Sequence, residues 1–339
     1  MRIGFDCGTY HLVSCKRGPD NDLSYKKEVN AFLQMPLENR FVFNMMKSAG
    51  VPLIEQPEAN VGYALGEAAV SMAYTMTQIE LKRPMKDGCL NPKEKHAQQI
   101  MNVMCHSLIG EVDEDGSILY YSVPANAINQ ETDADYHAKV LEAMFKSYRS
   151  DKGYRVEPHP INEALALVYA ELQNKSWTGF GISFGAGMVN LCYAMYGAPI
   201  FQFSLVNSGD WIDKMASKAI GEETTTYVNR EKMHADLTLE NPDTLVQRAI
   251  KSQYEIMIQH TASGIKKGVE EAGNKARSEQ PIDIVIAGGT SIPKGFEVLF
   301  RKILDQTKIS NLKIGEVIRP ADPLFSVARG CLIAAENAK

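Results

Sequence analysis

The sequence lacks the patterns by which zinc proteins are usually recognised. Its 339 residues include six cysteines, none of them in a CxxC pair, so a structural zinc site is not expected. Its seven histidines show no HExxH spacing, which argues against a zinc hydrolase. Several cysteines lie within apolar runs, as the reduced, buried thiols of cytosolic proteins do; they stand at positions 7, 15, 89, 105, 192 and 331.

Long apolar runs and an excess of positive charge are also missing. No apolar stretch reaches the ~18 residues of a membrane-spanning helix. The chain enters a strand directly after Met1, without the pattern of a signal peptide or an amphipathic anchor. We therefore expect a cytoplasmic protein with no evident membrane anchor. The formal net charge of -5 does not favour a direct nucleic-acid partner.

The predicted elements follow the order of strands and then helices, twice over. Strands are predicted at 2–7, 10–16, 117–123, 154–157, 180–184, 188–196, 200–206, 282–287 and 312–318. Helices are predicted at 66–78, at 91–110, at 131–148, from Pro160, over most of 208–275, after Pro293 and from Asp322 to Asn337. For the second of these, Asn91 is the expected N-cap and Pro92 the first helical residue. This order predicts a duplicated α/β core with insertions.

Three of the apolar strands end in a glycine turn. The first reads IGFDCGT from Ile3, the second GISFGAGM from Gly181, and the third IVIAGGT from Ile284. Glycine lets the backbone approach an anion closely and point its N–H groups at it. Three such turns in this order predict a nucleotide cleft between two related halves, in which two turns clamp a polyphosphate and the third holds the nucleoside.

Five segments in a fixed order resemble one protein superfamily. They are Asp6–Thr9, Arg83–Gly88, Pro160–Ala164, Ala287–Thr290 and Ala321–Gly330. Together they resemble the superfamily of actin, DnaK-type chaperones and sugar kinases, and within it the bacterial actin-like filament proteins of the MreB and MamK kind. The resemblance extends from Arg2 to about Ala335.

The resemblance implies an α/β protein with the actin-like ATPase fold, in which duplicated ribonuclease H-like lobes surround a nucleotide cleft. The first lobe is expected at 1–159 plus 316–339, with an inserted subdomain at about 24–82. The second is expected at 160–315, with a helical subdomain at about 208–280. The implied cofactors are ATP or ADP and Mg²⁺.

The resemblance also assigns the residues that contact the nucleotide. Asp6 would hold the waters of a bound Mg²⁺ and assist catalysis, a role that suits a carboxylate and a hard cation; an aspartate that only accepts hydrogen bonds from the turn is the alternative. The residues that would bind the phosphates and the nucleoside are Gly8, Thr9, Tyr10, Gly185, Ala186, Gly187, Gly209, Gly288, Gly289 and Thr290. The pair Tyr10-His11 departs from the family, which usually has a small polar residue after the threonine.

Glu163 and Ser183 bear on hydrolysis. Glu163 matches the position at which the family orients the attacking water, and positioning is most of what phosphoryl transfer needs; an acid favoured by the helix dipole is the alternative. Ser183 stands where the family generally carries an aspartate. A hydroxyl supplies no charge, so we expect weaker metal binding and slow hydrolysis.

Four further acidic residues lie in segments that the family places at or beside the cleft. Glu231 matches a position that contacts the ribose or the adenine edge, although a solvated helix face would also explain it. Asp87 would either contact the ligand or belong to a type I turn. Asp210 and Asp213 are interpreted as helix caps beside the turn at Gly209.

The resemblance implies a protein that binds ATP and polymerises into cytoplasmic filaments, with itself and possible adaptor proteins as partners. A scaffold that polymerises with little hydrolysis is one alternative, and Ser183 is consistent with it. A chaperone-like ATPase would need a substrate domain after the core. A small-molecule kinase would need an acidic base near a sugar pocket and would lack the segment at Arg83–Gly88.

Overall fold

The fold is built on two five-stranded sheets that have the same topology. The structure is a computed structural model, and it describes residues 1–37, 40–75, 81–94, 96–310 and 312–338. In the first sheet the order is β10 (Val156–Asn162), β9 (Ser117–Val123), β1 (Arg2–Cys7), β2 (His11–Arg17) and β3 (Leu23–Val29). In the second it is β15 (Ile314–Ile318), β14 (Ile282–Ala287), β11 (Gly179–Phe184), β12 (Val189–Met195) and β13 (Ala198–Leu205).

Each sheet combines an antiparallel meander with parallel strands. β1, β2 and β3 form the first meander, and β9 and β10 run parallel to β1. β11, β12 and β13 form the second, and β14 and β15 run parallel to β11. Since the carboxyl ends of parallel strands meet at one edge of a sheet, the glycine turns after β1, β11 and β14 lie at corresponding places.

Two helices lie between the sheets and contact each other. α5 (Glu163–Glu171) packs against β11 and β12, and α10 (Ser326–Asn337) packs against β1 and β9. The packing is close because it uses glycine. A Cβ at Gly4 would overlap the carbonyl oxygen of Ala328, and one at Gly181 would overlap that of Ala164. Where the helices cross, a Cβ at Gly330 would overlap the carbonyl oxygen of Ala166.

The outer faces of the sheets carry the larger apolar cores. α3 (Ala97–Ile109) and α4 (Ala134–Lys146) cover the first sheet, where Phe5 and Phe145 are fully buried. α8 (Leu245–Ala272) and α9 (Phe296–Thr307) cover the second, where Phe184 and Phe300 are fully buried. α6 (Gly209–Ile220) and α7 (Thr226–Lys232) precede α8.

A smaller three-stranded sheet and a hairpin complete the chain. The small sheet has the order β4 (Phe32–Pro36), β6 (Val61–Leu65) and β5 (Leu53–Gln56), with α1 (Arg40–Ser48) and α2 (Gly66–Thr75) beside it. The hairpin is β7 (Met85–Lys86) and β8 (Cys89–Leu90). Residues 76–78 of the helix predicted at 66–78 lie outside the described residues. None of the helices in the described ranges has the length and apolar content needed to cross a bilayer.

Four predicted helix starts were wrong. α4 begins at Ala134, after its N-cap Asp133, and not at 131. α3 begins at Ala97, because the oxygens of Asn91 accept hydrogen bonds from the backbone of Lys93 and Glu94 in a separate turn. α5 begins at Glu163, and Pro160 lies in β10. Within the described sheet β10 pairs only with β9, and an edge strand tolerates a residue without an N–H donor. α10 begins at Ser326 and not at Asp322.

Candidate nucleotide site

A cavity of about 430 Å³ lies between the two sheets, where the strands with glycine turns end. Its volume falls in the usual range of ligand pockets, roughly 300–1,000 Å³. Both sheets supply its lining, as do α7 and the loop before α10. Among the predicted residues, the lining includes Asp6, Gly8, Thr9, Tyr10, Glu163, Ser183, Gly185, Ala186, Gly187, Gly288, Gly289 and Thr290.

Beside the first turn, Ser122 on the neighbouring strand β9 fixes the side chain of Asp6. The Ser122 hydroxyl donates to Oδ1 of Asp6 at 2.8 Å and accepts the Cys7 N–H at 2.8 Å. Asn30 donates to the Gly8 carbonyl oxygen at 3.0 Å. Withdrawal from bulk water raises the pKa of Asp6 to about 6, and the bond from Ser122 opposes this. Asp6 is thus fixed and faces the cavity.

Glu163 approaches Asp6 from the start of α5. Asn162 caps that helix, with Oδ1 accepting from the N–H groups of Ala164 and Leu165. Oε2 of Glu163 accepts from Nδ2 of Asn190 at 2.7 Å. Burial raises the pKa of Glu163 to about 8, the negative charge of Asp6 adds to the effect, and a hydrogen bond to Ser183 opposes it. Two carboxyl groups, one from each half of the fold, therefore face one cavity.

Ser183 is buried on the floor of the cavity, opposite Asn190 in the antiparallel register of β11 and β12. Asn190 could not be predicted from the sequence, because its role depends on which residue the pairing of β12 places beside Ser183. Ser122 and Ser204 were missed for the same reason. The hydroxyl of Ser204 donates to Oδ1 of Asn190 at 2.5 Å.

The second turn is supported by the third turn and by α6. The Gly185 carbonyl oxygen accepts from the Thr290 hydroxyl at 2.9 Å and from the Gly209 N–H at 3.1 Å. A Cβ at Gly209 would lie 2.5 Å from Oγ1 of Thr290. Gly209 is therefore a close packing point behind the turn, and it does not belong to the described lining of the cavity.

The third turn and α7 line the same cavity. Gly288 has a φ of 90° and its N–H donates to the Pro323 carbonyl oxygen at 3.1 Å. The residues of and after α7 that line it are Asn229, Arg230, Lys232, Met233 and His234. Glu231 is outside the described lining and lies 3.8 Å from the Arg230 guanidinium. Its contact with the ribose stays a prediction.

The interpretation of Asp210 and Asp213 as helix caps was wrong. Ser208 is the N-cap of α6, Asp210 lies in its first turn and Asp213 lies further inside the helix. Its carboxylate is 2.7 Å from Nζ of Lys232 and accepts from Asn229 at 2.7 Å. Both partners of this ion pair are buried, and Lys232 also donates to the Gly209 carbonyl oxygen at 3.0 Å. The cluster fixes α7 against α6 beside the cavity.

Asp210 lies in the first turn of α6 and links the second half of the fold to the β7–β8 hairpin. Its Oδ2 is 2.8 Å from Nη2 of Arg83. At the hairpin tip, Asp87 and Gly88 have φ values of 48° and 73°, which is the pattern of a type I′ hairpin turn and not the type I turn weighed for Asp87. Gly88 lines the cavity, and Asp87 is outside its described lining.

Two lobes with the same sheet topology, joined by crossed helices and enclosing one cavity, define the protein as actin-like. The structure confirms the predicted fold class. The chain belongs to the Volactin family, whose match covers residues 1–335. Among curated proteins, none matches the sequence well enough to be counted as a relative.

Solved actin-like structures share the fold over nearly the whole chain. The MamK double helical filament matches with a TM-score of 0.72 and 17% identity, covering 99% of each chain. MreB 5 of Spiroplasma citri bound to AMPPNP matches with a TM-score of 0.66 and 15% identity, covering 98% of this chain and 95% of the other. A non-polymerising MamK mutant bound to AMPPNP matches with a TM-score of 0.58 and 17% identity, covering 99% of this chain and 98% of the other.

Proposed function

We propose that this protein binds ATP or ADP with Mg²⁺ in the cavity, hydrolyses ATP slowly and polymerises into filaments. One observation carries the proposal: two equivalent glycine turns from two equivalent sheets face one cavity that also receives the carboxyl groups of Asp6 and Glu163. Such an arrangement can hold a polyphosphate between two backbones and place a metal ion and a water beside it.

The tightness of the turns supports the phosphate assignment. A Cβ at Gly8 would lie 2.5 Å from the His11 carbonyl oxygen, and one at Gly185 would lie 2.8 Å from that of Met188. A Cβ at Gly187 would overlap the Thr9 hydroxyl. In the proposal, the turn at Gly8, Thr9 and Tyr10 and the turn at Gly185–Gly187 bind the phosphates, and Gly288–Thr290 binds the nucleoside.

The charges of the cavity suit Mg²⁺ better than a metal held by protein ligands alone. The described residues contain no cluster of three or more acidic, cysteine or histidine side chains that could hold a metal ion. Mg²⁺ usually keeps several waters and is bound through one or two carboxylates together with substrate phosphates. Asp6 would supply the carboxylate, and the bound ion would balance the charge of the phosphates.

Glu163 is the residue that we propose to orient the attacking water. In hydrolysis, the water oxygen bonds to the γ-phosphorus while the bond to the β-γ bridging oxygen breaks, and that electron pair leaves with ADP. The proton lost by the water ends on the released phosphate or on the solvent. With Ser183 in place of a carboxylate, the site has one charge fewer with which to bind metal and align water, so slow turnover is expected.

Polymerisation is proposed from the fold and from the likeness to a MamK filament. A nucleotide that contacts both halves would fix their relative angle, and subunit contacts would select that closed state. Head-to-tail contacts that do not close on themselves then give a filament. The partner is another copy of this chain; adaptor proteins and a cytoplasmic location stay predictions.

Calorimetry and electron microscopy test the proposal together. Millimolar ATP, ADP, GTP and GDP with Mg²⁺ should be titrated into the protein, and samples with and without ATP should be imaged. We expect adenine nucleotides to bind and ATP to favour filaments. No heat with any nucleotide would overturn the site, whereas binding without filaments would overturn only the polymerisation.

A nucleotide-binding scaffold with little hydrolysis is the second candidate. Ser183 favours it, because no carboxylate occupies that position. A phosphate-release assay on assembled protein separates the two candidates: release of less than one phosphate per subunit over the lifetime of the filaments supports the scaffold.

A further inference from the structure

A line of buried side chains connects Glu163 with the outer strand of the second sheet. The Ser204 hydroxyl donates to Oδ1 of Asn190 at 2.5 Å, and Nδ2 of Asn190 donates to Oε2 of Glu163 at 2.7 Å. Asn190 and Ser204 are 2% and 0% exposed, so water does not compete for these bonds. Ser204 and Asn190 face each other in the register of β12 and β13.

The Asn190 amide places its oxygen toward Ser204 and its nitrogen toward Glu163. The oxygen and nitrogen of an amide lie on opposite sides of one planar group, so an oxygen that faces Ser204 leaves the N–H group facing Glu163. An N–H donor stabilises an ionised carboxylate, whereas an amide oxygen in its place would accept only from the protonated acid. By donating to the oxygen, Ser204 stabilises the arrangement in which Asn190 supports the charged form of Glu163.

The backbone of Ser204 is held from the other half of the fold. The segment that follows β9, residues 124–132 and here named the crossing segment, pairs with β13 in parallel at Ala127 and Ser204. The Ile128 N–H donates to the Ser204 carbonyl oxygen at 2.9 Å, and the Ser204 N–H donates to that of Asn126 at 3.2 Å. The hydroxyl that orients Asn190 therefore belongs to a residue that the first half of the molecule holds by its main chain.

Two further contacts fix the crossing segment. Nδ2 of Asn129 donates to Oδ1 of Asn207 at 2.6 Å, and Oδ1 of Asn129 accepts the Val206 N–H at 3.1 Å. His260 of α8 lies 3.1 Å from the same Asn207 oxygen. These bonds hold the segment at Ser204 and just beyond the end of β13.

We propose that Asn190 and Ser204 are positioning residues that hold the Glu163 carboxylate toward the attacking water, and that the pairing of the crossing segment with β13 controls this orientation. The inference rests on the proposed hydrolysis in the same cavity. It assigns two residues and a connection between the halves of the fold. A change in the angle between the halves would reach Ser204 through its main-chain bonds, and Glu163 through the side chains of Ser204 and Asn190.

Other charged and titratable groups also face Glu163. Asp6 approaches from β1 and raises its pKa, and Ser183 on β11 donates to it. Burial raises the pKa values of the Cys7 and Cys331 thiols, and the nearby charge of Glu163 raises them further. Loss of the Asn190 donor would leave the effect of Asp6 less opposed and would raise the pKa of Glu163 further.

The test compares N190D and S204A with the wild type. N190D keeps the shape of the side chain but replaces the donor by an acid, and S204A removes the hydroxyl that holds the amide oxygen of Asn190. S117A is the matched control, because Ser117 is also a fully buried strand serine and its hydroxyl bonds only the nearby Glu114 carbonyl oxygen among the hydrogen bonds described. ATP affinity is measured first by calorimetry, and single-turnover hydrolysis is then followed from pH 6 to 9.

We expect ATP affinity within about twofold of wild type for S204A and S117A, and a weaker affinity for N190D, because this variant adds an acid to the cavity lining. The rate at neutral pH should fall about tenfold or more in N190D and several-fold in S204A, because misplacement of a catalytic group by a fraction of an ångström is costly. In both variants the rise of the rate with pH should move to higher pH, and in E163Q that rise should be absent. S117A should match the wild type.

The outcomes separate this inference from the proposed function. A wild type that binds no nucleotide overturns the proposed function itself. A wild type that binds ATP and releases no phosphate overturns the positioning role and leaves the binding site standing. An S204A variant with the rate and pH profile of the wild type also overturns the inference, and it does so even if N190D fails to fold.

Discussion

Asp6 and Ser183 occupy equivalent positions at the ends of β1 and β11. Each stands two residues after the glycine that packs against a central helix, Gly4 or Gly181. The duplicated fold therefore presents a carboxylate from one half and a hydroxyl from the other. Ser183 hydrogen-bonds Glu163, so the residue supports the remaining acid but adds no charge for a metal ion.

Adding the missing charge should speed hydrolysis. We expect S183D to bind Mg²⁺ more tightly and to release phosphate faster than the wild type in the presence of the metal, because a second carboxylate can align the hydrated ion. Without Mg²⁺ the variant should lose about 1–3 kcal/mol of stability, since a further buried carboxylate is then uncompensated. Phosphate release over a Mg²⁺ series measures the first effect, with S183A as control; a wild type faster than S183D would contradict it.

The two acids of the cavity should also make stability depend on pH. In the folded protein the pKa of Asp6 is about 6 and that of Glu163 about 8, against ordinary values of 3.8 and 4.5. At pH values between the ordinary and the raised pKa of each acid, the folded state binds more protons than the unfolded chain. The stabilisation is therefore complete below about pH 4 and is lost as the pH rises through 6 and then 8, by about 1.4 kcal/mol for each pH unit of difference in pKa.

Urea denaturation of the nucleotide-free protein between pH 5 and 8.5 measures this effect. E163Q should remove the upper part of the loss, because its side chain does not titrate. A free energy of unfolding that rises steadily across the same range in the wild type, and not in E163Q, would show that the sign is wrong.

At the scale of elements, the N-cap of α5 is expected to affect both stability and chemistry. Oδ1 of Asn162 accepts from Ala164 at 3.0 Å and from Leu165 at 3.1 Å. N162A should cost about 1 kcal/mol, as loss of a helix cap usually does, and should also slow hydrolysis because Glu163 is the next residue. T244A is the matched control: Thr244 caps α8 through the Gln247 N–H and is outside the described lining of the cavity. Equal hydrolysis rates in the two variants would contradict the expectation.

The features predicted best from the sequence were those that depend on residues close together in the chain. The glycine turns could be found because glycine is required wherever a backbone passes this close to another, as at Gly8 and Gly185. Asn190 and Lys232 could not be found, since one depends on strand register and the other on the packing of α7 against α6. The start of α3 was wrong because a good capping pattern at Asn91 formed a turn of its own. The boundaries of the lobes stay a prediction.

At the scale of the whole molecule, the Arg83–Asp210 ion pair lies at the lining of the cavity, to which Asp210 belongs. It joins the residues before the β7–β8 hairpin to α6 over 2.8 Å, and burial raises the pKa of Asp210 while Arg83 lowers it. A triphosphate in the cavity would add negative charge beside Asp210, and Arg83 offsets that charge.

Substitutions of Arg83 and of Asp210 should therefore have opposite effects on ATP affinity. R83A leaves the Asp210 carboxylate unpaired and should weaken ATP binding about tenfold, or by about 1.4 kcal/mol. D210N removes the repulsion and should leave the affinity equal to or higher than that of the wild type. Calorimetry measures both, with R155A as control because Arg155 forms an exposed ion pair with Asp115 at 2.6 Å. Equal weakening by R83A and D210N would contradict this account.

The crossing of α5 and α10 brings main-chain atoms into direct contact, since Gly330 leaves no side chain between it and the Ala166 carbonyl oxygen. Beside this point the Arg329 guanidinium of α10 pairs with the Glu171 carboxylate of α5. A larger residue at position 330 would push the two helices, and with them the two sheets, apart. The angle between the sheets therefore depends on this central contact, on the Arg83–Asp210 pair and on the crossing segment, and a neighbouring subunit could alter it through the last two.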